Sequence, residues 1–308
     1  MQKIYKSDLF VIFMILIVFC VITPFFFLHQ GLFLIDTGRE FYLSQQVLKG
    51  GVLYKNIFNI YGPFSYQFNA LLFMIFGEKI NTLYVTGIIN SIVIVIFMYL
   101  ISREFLNKSF SALFAFITMF SLVFPVFLFN SVITYSSGLI YALSSLLISV
   151  LFLLKYLKSD KYYFAYYASL FCGLSILNKY EFILYPIVLL YSLCFVKPIG
   201  YKKFIKSLCF FMVFPIISFG ILFLQGLDFK DLFYAFKLMI IMACSNSMSD
   251  FYSRYGNFFN PARYLSLILK NPVFALIGLI PVINIILTTI FFKKIYQDKI
   301  FFVFCLIA

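Results

Sequence analysis

"FSYQFNALLFMIF", Phe64–Phe76, is the stretch on which the arrangement of the whole chain depends. It is apolar, but a helix of this length rises only about 20 Å, against a hydrocarbon core of about 30 Å. If it crosses a membrane, the later loops alternate one way; if it does not, they alternate the other way. The surrounding sequence makes a membrane the relevant solvent. Of 308 residues, 64% are hydrophobic and 11% charged, and the mean hydropathy is +1.03. A soluble domain carries about 25% charged residues. Apolar runs recur at 9–28, 82–101, 110–130, 138–154, 162–177, 182–196, 207–225 and 273–292. Runs of about 20 residues are helical spans, whereas a β-barrel would show short alternating segments. The first run is too long for a secretory signal and no small-residue cleavage site follows it, so it reads as an uncleaved span. The expected fold is all-α: a polytopic bundle of about 8–9 transmembrane helices. Residues 300–308 count as half a span, and the chain reads as lacking its C-terminal part.

Lysine placement decides the question posed by 64–76. With that helix not crossing, one side holds 1–8, 102–109, 155–161, 197–206 and 293–299. These loops carry Lys3, Lys6, Arg103, Lys108, Lys155, Lys158, Lys161, Lys197, Lys202, Lys203, Lys206, Lys293, Lys294 and Lys299, which is 14 of 24 basic residues. Lysine and arginine concentrate in cytoplasmic loops, so this side is cytoplasmic. The spacing therefore predicts a re-entrant or interfacial helix over 64–76 and a cytoplasmic N-terminus in a cell (inner) membrane. The outer face then holds 29–81, 131–137, the turn at 178–181 and 226–272, with 7 of 11 acids: Asp36, Glu40, Glu78, Glu181, Asp228, Asp231 and Asp250. The expected domains are a core of 1–225 with outer loop 29–81, a second outer loop of 226–272, and a further helix with the start of another in 273–308.

The net charge of +13 comes from lysines between spans, so topology and anionic lipid account for it better than nucleic acid. The six cysteines fall mostly within apolar runs and show no metal or disulfide spacing. His29 is the only histidine, which excludes a His-based metal cluster and a Ser-His-Asp triad.

Polar chemistry gathers in two outer stretches. In "DTGREFYLSQQVLKGG", Asp36–Gly51, Thr37 and Glu40 have the spacing of a capping box, Leu43, Val47 and Leu48 share a face, and Gly50-Gly51 stop the helix. The expected element is an amphipathic helix in the outer interface. Asp36 there is either a capping carboxylate or a functional one. In "GLSILNKYEF", Gly173–Phe182, Lys179 and Glu181 stand between two spans. Two apart on a helix, they would point in different directions and need other partners. They are either a snorkelling lysine with a boundary glutamate, or groups aimed into an outward cavity.

Together the stretches from Asp36 to Gly77 and from Gly173 to Phe182 resemble the GT-C superfamily of polyprenyl-phosphate-sugar glycosyltransferases, which includes protein O-mannosyltransferases and lipid A aminoarabinose transferases. The likeness lies in the Asp after the first span, the Gly62-Pro63 and Phe76-Gly77 pairs, and the later Lys179…Glu181, over about residues 1–200. The resemblance implies inverting transfer of a sugar from a polyprenyl-phosphate donor to a lipid, glycan or protein acceptor on the outer face. It implies Asp36 as base, Lys179 on the phosphate with Arg39 or Lys55 behind it, and Tyr61 against a sugar; Glu181 joins the binding set. A divalent cation is an open option without ligand spacing. Many relatives place Asp and Glu side by side, whereas here Glu40 follows four residues later. The rival readings are a transporter or flippase for a lipid-linked saccharide, and a polysaccharide polymerase or ligase using Arg254 and Arg263. Charge-free span interiors and the lack of an internal repeat favour the transferase over the transporter.

Overall fold

The computed structural model describes residues 6–26, 36–124 and 136–243. Within them the chain forms helices α1 (Lys6–Phe26), α2 (Gly38–Leu48), α3 (Phe64–Phe76), α4 (Ile80–Ser102), α5 (Lys108–Thr118), α6 (Ser137–Lys158), α7 (Tyr163–Asn178), α8 (Leu184–Tyr191), α9 (Tyr201–Leu224) and α10 (Phe229–Ala243). A π-helical turn extends α5 to Val123. A 3₁₀ turn, Tyr180–Ile183, precedes α8, and a π-helical turn, Ser192–Val196, follows it. No strand occurs among the described residues; one isolated bridge joins Leu53 and Ile57.

Four described helices are long and apolar enough to cross a membrane: α1, α4, α6 and α9. Lys108–Val123 and Tyr180–Val196 are apolar but shorter, as is α3, whose 13 residues match the expected bounds. The span expected at 273–292, the stub at 300–308, and His29, Arg254 and Arg263 lie outside the described residues. The chain divides into two units, Met1–Leu227 and Asp228–Ala308. α10, in the second, is a helix within the stretch expected as the second outer loop, 226–272. Its Lys230, Asp231 and Lys237 interrupt the apolar run, so a reading keyed to 20-residue hydropathy passes over it.

In the first unit α6 is central, with 67% of its span buried against 17% for α1 and α9. α1, α4 and α5 share an apolar core of Ile15, Phe19, Val95, Tyr99, Ala115, Met119 and Val123. Serines join the other helices, as small polar residues do where lipid offers no hydrophobic contrast. Ser175 Oγ donates to Ala142 O at 2.9 Å, Ser169 and Ser207 hydroxyls meet at 2.6 Å, and Ser149 pairs with the Tyr185 hydroxyl at 2.9 Å. At Gly173 a Cβ would lie 2.0 Å from Phe211 O, so only glycine allows α7 and α9 to approach this closely.

Ion pairs sort the helix ends. Asp8 at the start of α1 accepts from Tyr99 (2.8 Å) and Arg103 (3.0 Å) at the end of α4, so α1 and α4 are antiparallel. The intervening α2, loop and α3 therefore leave and re-enter at one end. Glu104 pairs with Lys158 at 3.0 Å, and Asp160 with Lys197 at 3.2 Å. Residues 8, 103–104, 158–160 and 197 thus gather at a single end.

Candidate functional site

The opposite end brings together α2, the loop to α3, and the end of α7. α2 stops in a Schellman geometry: Gly50, at φ +90°, donates to Val47 O at 3.0 Å, and Gly51 donates to Gln46 O at 2.9 Å. Its start departs from expectation. Thr37 is itself in helical conformation and makes no side-chain cap bond. Glu40 does not reach back to it but turns inward, where it is fully buried. The buried face of α2 is Glu40, Ser44 and Val47 rather than Leu43, Val47 and Leu48. A carboxylate drawn to cationic and hydroxyl partners inside outweighs one orphan N–H at a helix start.

Those partners are specific. Tyr66, on α3, donates to Glu40 Oε1 at 3.2 Å, and Arg39 Nη2 stands 3.7 Å from it. Arg39 also pairs with Asp36 at 3.1 Å. Arg39 is therefore shared between two carboxylates, the partly open Asp36 and the closed Glu40. Its guanidinium lies 5.3 Å from the centre of the Tyr61 ring, and Lys179 Nζ lies 5.0 Å from the same ring. One tyrosine thus faces two cations from segments 140 positions apart.

Tyr61 is held firmly. Its carbonyl accepts from the Tyr54 hydroxyl and from Asn59 Nδ2, both at 2.6 Å, and its N–H donates to Asn59 Oδ1 at 3.2 Å. Tyr54 sits at φ +69°, an uncommon conformation for a side-chain-bearing residue, and shares a 3.0 Å hydroxyl contact with Tyr180. Tyr180 flanks Lys179, so this contact ties the Tyr61 loop to the lysine. Next to it, Gly62 abuts the end of α7: a Cβ there would stand 1.8 Å from Leu177 O.

Lys179 and Glu181 do pair, at 2.9 Å, against the sequence expectation. α7 ends at Asn178 and Lys179 is extended (φ −146°, ψ 116°) before the 3₁₀ turn that carries Glu181, so the two do not sit on one continuous helix and the helical argument against their pairing does not apply. Lys179 is buried, while the Glu181 side chain is 65% exposed. Lys55 takes a different place: its Nζ donates to Gly226 O at 2.6 Å. Asp36, Arg39, Tyr61, Lys179 and Glu181 are thus linked in one chain of contacts. Glu40, Tyr66, Tyr54, Asn59 and Gly62 belong to it without having been singled out as site residues. Four-residue spacing puts Asp36 and Glu40 on one helix face, a signal the sequence did carry; nothing in it marked Tyr66. Among the described residues, no three His, Cys, Asp or Glu side chains converge as a metal site.

Burial pushes the Glu40 carboxyl up to about 7, against the opposing pull of Arg39, Tyr66 and Lys179. Burial lowers the Arg39 guanidinium, but Tyr61, Glu40, Tyr66 and Asp36 raise it, and the balance is upward. The folded protein keeps the Glu40 proton to higher pH than an unfolded chain, whose glutamate titrates near 4.5. Its contribution to stability is therefore full below that value and is lost as pH rises through about 7. Wild-type protein in detergent should lose thermal stability between about pH 5 and pH 8, and Glu40→Gln should lose distinctly less. Parallel melting curves for the two would refute a proton held there.

The family model described as dolichyl-phosphate-mannose-protein mannosyltransferase matches residues 62–222. No curated protein and no solved structure matches the chain. The matched stretch contains Lys179 and Glu181, begins directly after Tyr61, and does not include Asp36, Arg39 or Glu40.

Proposed function

The chain belongs to the dolichyl-phosphate-mannose-protein mannosyltransferase family of membrane glycosyltransferases, which use a polyprenyl-phosphate sugar, and from that premise we propose that Asp36 and Lys179 work on opposite sides of the transferred sugar. The carrying observation is the Tyr61 ring with Arg39 and Lys179 5.3 Å and 5.0 Å from its centre, beside a carboxylate that remains partly open. Asp36 takes the proton from an acceptor hydroxyl. The acceptor oxygen then attacks the anomeric carbon from the side opposite the phosphate, inverting it. The bond from that carbon to the phosphate oxygen breaks, and the departing phosphate carries the negative charge. Lys179 and Arg39 stabilise that charge, in the way fixed cations and donors stabilise developing anions. Tyr61 meets the sugar and holds the two cations beside it. Glu40 is too buried to meet an acceptor; protonated, it leaves Arg39 to Asp36 and the phosphate. Glu181 competes for Lys179 from an exposed position and is readily displaced by a phosphate.

We place this end on the outer face, because the opposite end carries most of the basic residues. The acceptor is a lipid, glycan or protein hydroxyl. Sealed right-side-out and inverted vesicles supplied with labelled polyprenyl-phosphate mannose test both parts. Covalently labelled product should form in right-side-out vesicles. Product confined to inverted vesicles would reverse the sidedness, and movement of label across the bilayer without covalent transfer would replace the enzyme with a transporter.

A further inference from the structure

At the other end of the same helices, lysines outnumber their acidic partners. Lys155, Lys158, Lys161, Lys197, Lys202, Lys203 and Lys206 stand with Glu104 and Asp160. Both acids are engaged, by Lys158 and Lys197 respectively. Among the described residues the other five lysines have no carboxylate partner. Four of them lie over aromatic rings instead. Lys203 Nζ is 3.2 Å from the Tyr162 ring centre and Lys206 Nζ is 5.0 Å from that of Tyr166; Lys161 and Lys155 stand 5.9 Å and 6.0 Å from Tyr163 and Phe164.

The first two pairs form a register between two helices. Tyr162 and Tyr166, one turn apart at the start of α7, face Lys203 and Lys206, one turn apart at the start of α9. Directly below, the Ser169 and Ser207 hydroxyls meet at 2.6 Å, Tyr166 stacks on Phe210 with ring centres 5.4 Å apart, and Gly173 abuts Phe211. This zipper fixes the spacing of the two ammonium groups. A ring beneath each one limits the conformations the side chain must give up on binding an anion, the general advantage of preorganisation. Next to the lysines, α9 exposes Ile205 and Leu208, and α7 exposes Tyr163 and Tyr167.

We propose that Lys203 and Lys206, set over Tyr162 and Tyr166, seat the headgroup phosphate of an anionic phospholipid whose acyl chains run along the exposed apolar faces of α7 and α9. A soluble phosphate would gain nothing from those apolar neighbours. A zwitterionic lipid brings its own ammonium to compete with the lysines. Anionic headgroups attract basic residues at a bilayer surface, and basic pockets between membrane helices select them.

Native mass spectrometry of the purified full chain, equilibrated with mixed phosphatidylglycerol and phosphatidylcholine micelles, tests the seat. Wild type should retain phosphatidylglycerol over phosphatidylcholine. The double variant Lys203→Gln, Lys206→Gln should lose that retention about tenfold or more. Lys49→Gln with Lys79→Gln, at exposed positions of the other end, should leave it intact. Tyr162→Leu with Tyr166→Leu keeps every charge and should still lower it. Equal retention of the two lipids by wild type, undiminished retention in the double lysine variant, or undiminished retention in the tyrosine variant would each overturn the proposal. If a variant does not fold, the wild-type comparison of the two lipids decides alone.

Discussion

Asp36→Asn membranes should show transfer reduced by about 10²–10⁴-fold at unchanged protein level, the usual cost of losing a general base. The substitution keeps size and hydrogen-bonding atoms, and asparagine starts helices about as well as aspartate. It removes the charge and the basicity. Arg39 keeps Glu40 at 3.7 Å and the Tyr61 ring, so its surroundings stay largely in place. A structural carboxylate would behave otherwise. A partly open carboxylate in a shared ion pair is worth about 1 kcal/mol, and its loss leaves chemistry alone. Lys179→Met gives the matching contrast: weaker donor use, seen as a raised KM together with a lowered kcat, with part of the effect restored by Lys179→Arg, whose planar fork replaces a compact charge. Transfer by Asp36→Asn within about threefold of wild type would be too small a loss for a missing base and would remove Asp36 from the reaction.

Gly62→Ala should disable the protein through the backbone alone. The added Cβ would fall 1.8 Å from Leu177 O and 2.4 Å from its carbonyl carbon. Neither atom belongs to a side chain that could rotate away, so either the loop carrying Tyr61 or the end of α7 must move. Lys179 lies two residues beyond Leu177, so movement of either part separates it from Tyr61. Overpacking of this kind costs about 1–3 kcal/mol and occasionally more. The expected result is a lower unfolding temperature together with transfer too weak to detect. Gly200→Ala, where a Cβ meets nothing within 4 Å, is the control and should be silent. Activity of Gly62→Ala near wild type would mean that the close contact between the loop and α7 is not required for the site.

What could be read along the chain was whatever depends on neighbours in sequence. Apolar run length located α1 and α3 to α9, side-chain spacing and glycine placed α2 and its end, and proline and length set the bounds of α3. Family membership rested on the order of residues in the same way. What could not be read depended on partners brought together by folding. Glu40 has the spacing of a capping residue, and only the arrival of Tyr66 from α3 beside Arg39 draws it inward. Lys179 and Glu181 pair because α7 ends at Asn178 and leaves Lys179 extended. Lys55 and Arg39 look equivalent as loop cations, yet one reaches the Gly226 carbonyl and the other the carboxylates. Hydropathy and local spacing are properties of a segment, and they determined the helices. Charge partners, burial and the close approach of Gly62 to α7 are properties of segments that meet, so only the tertiary structure could decide the site.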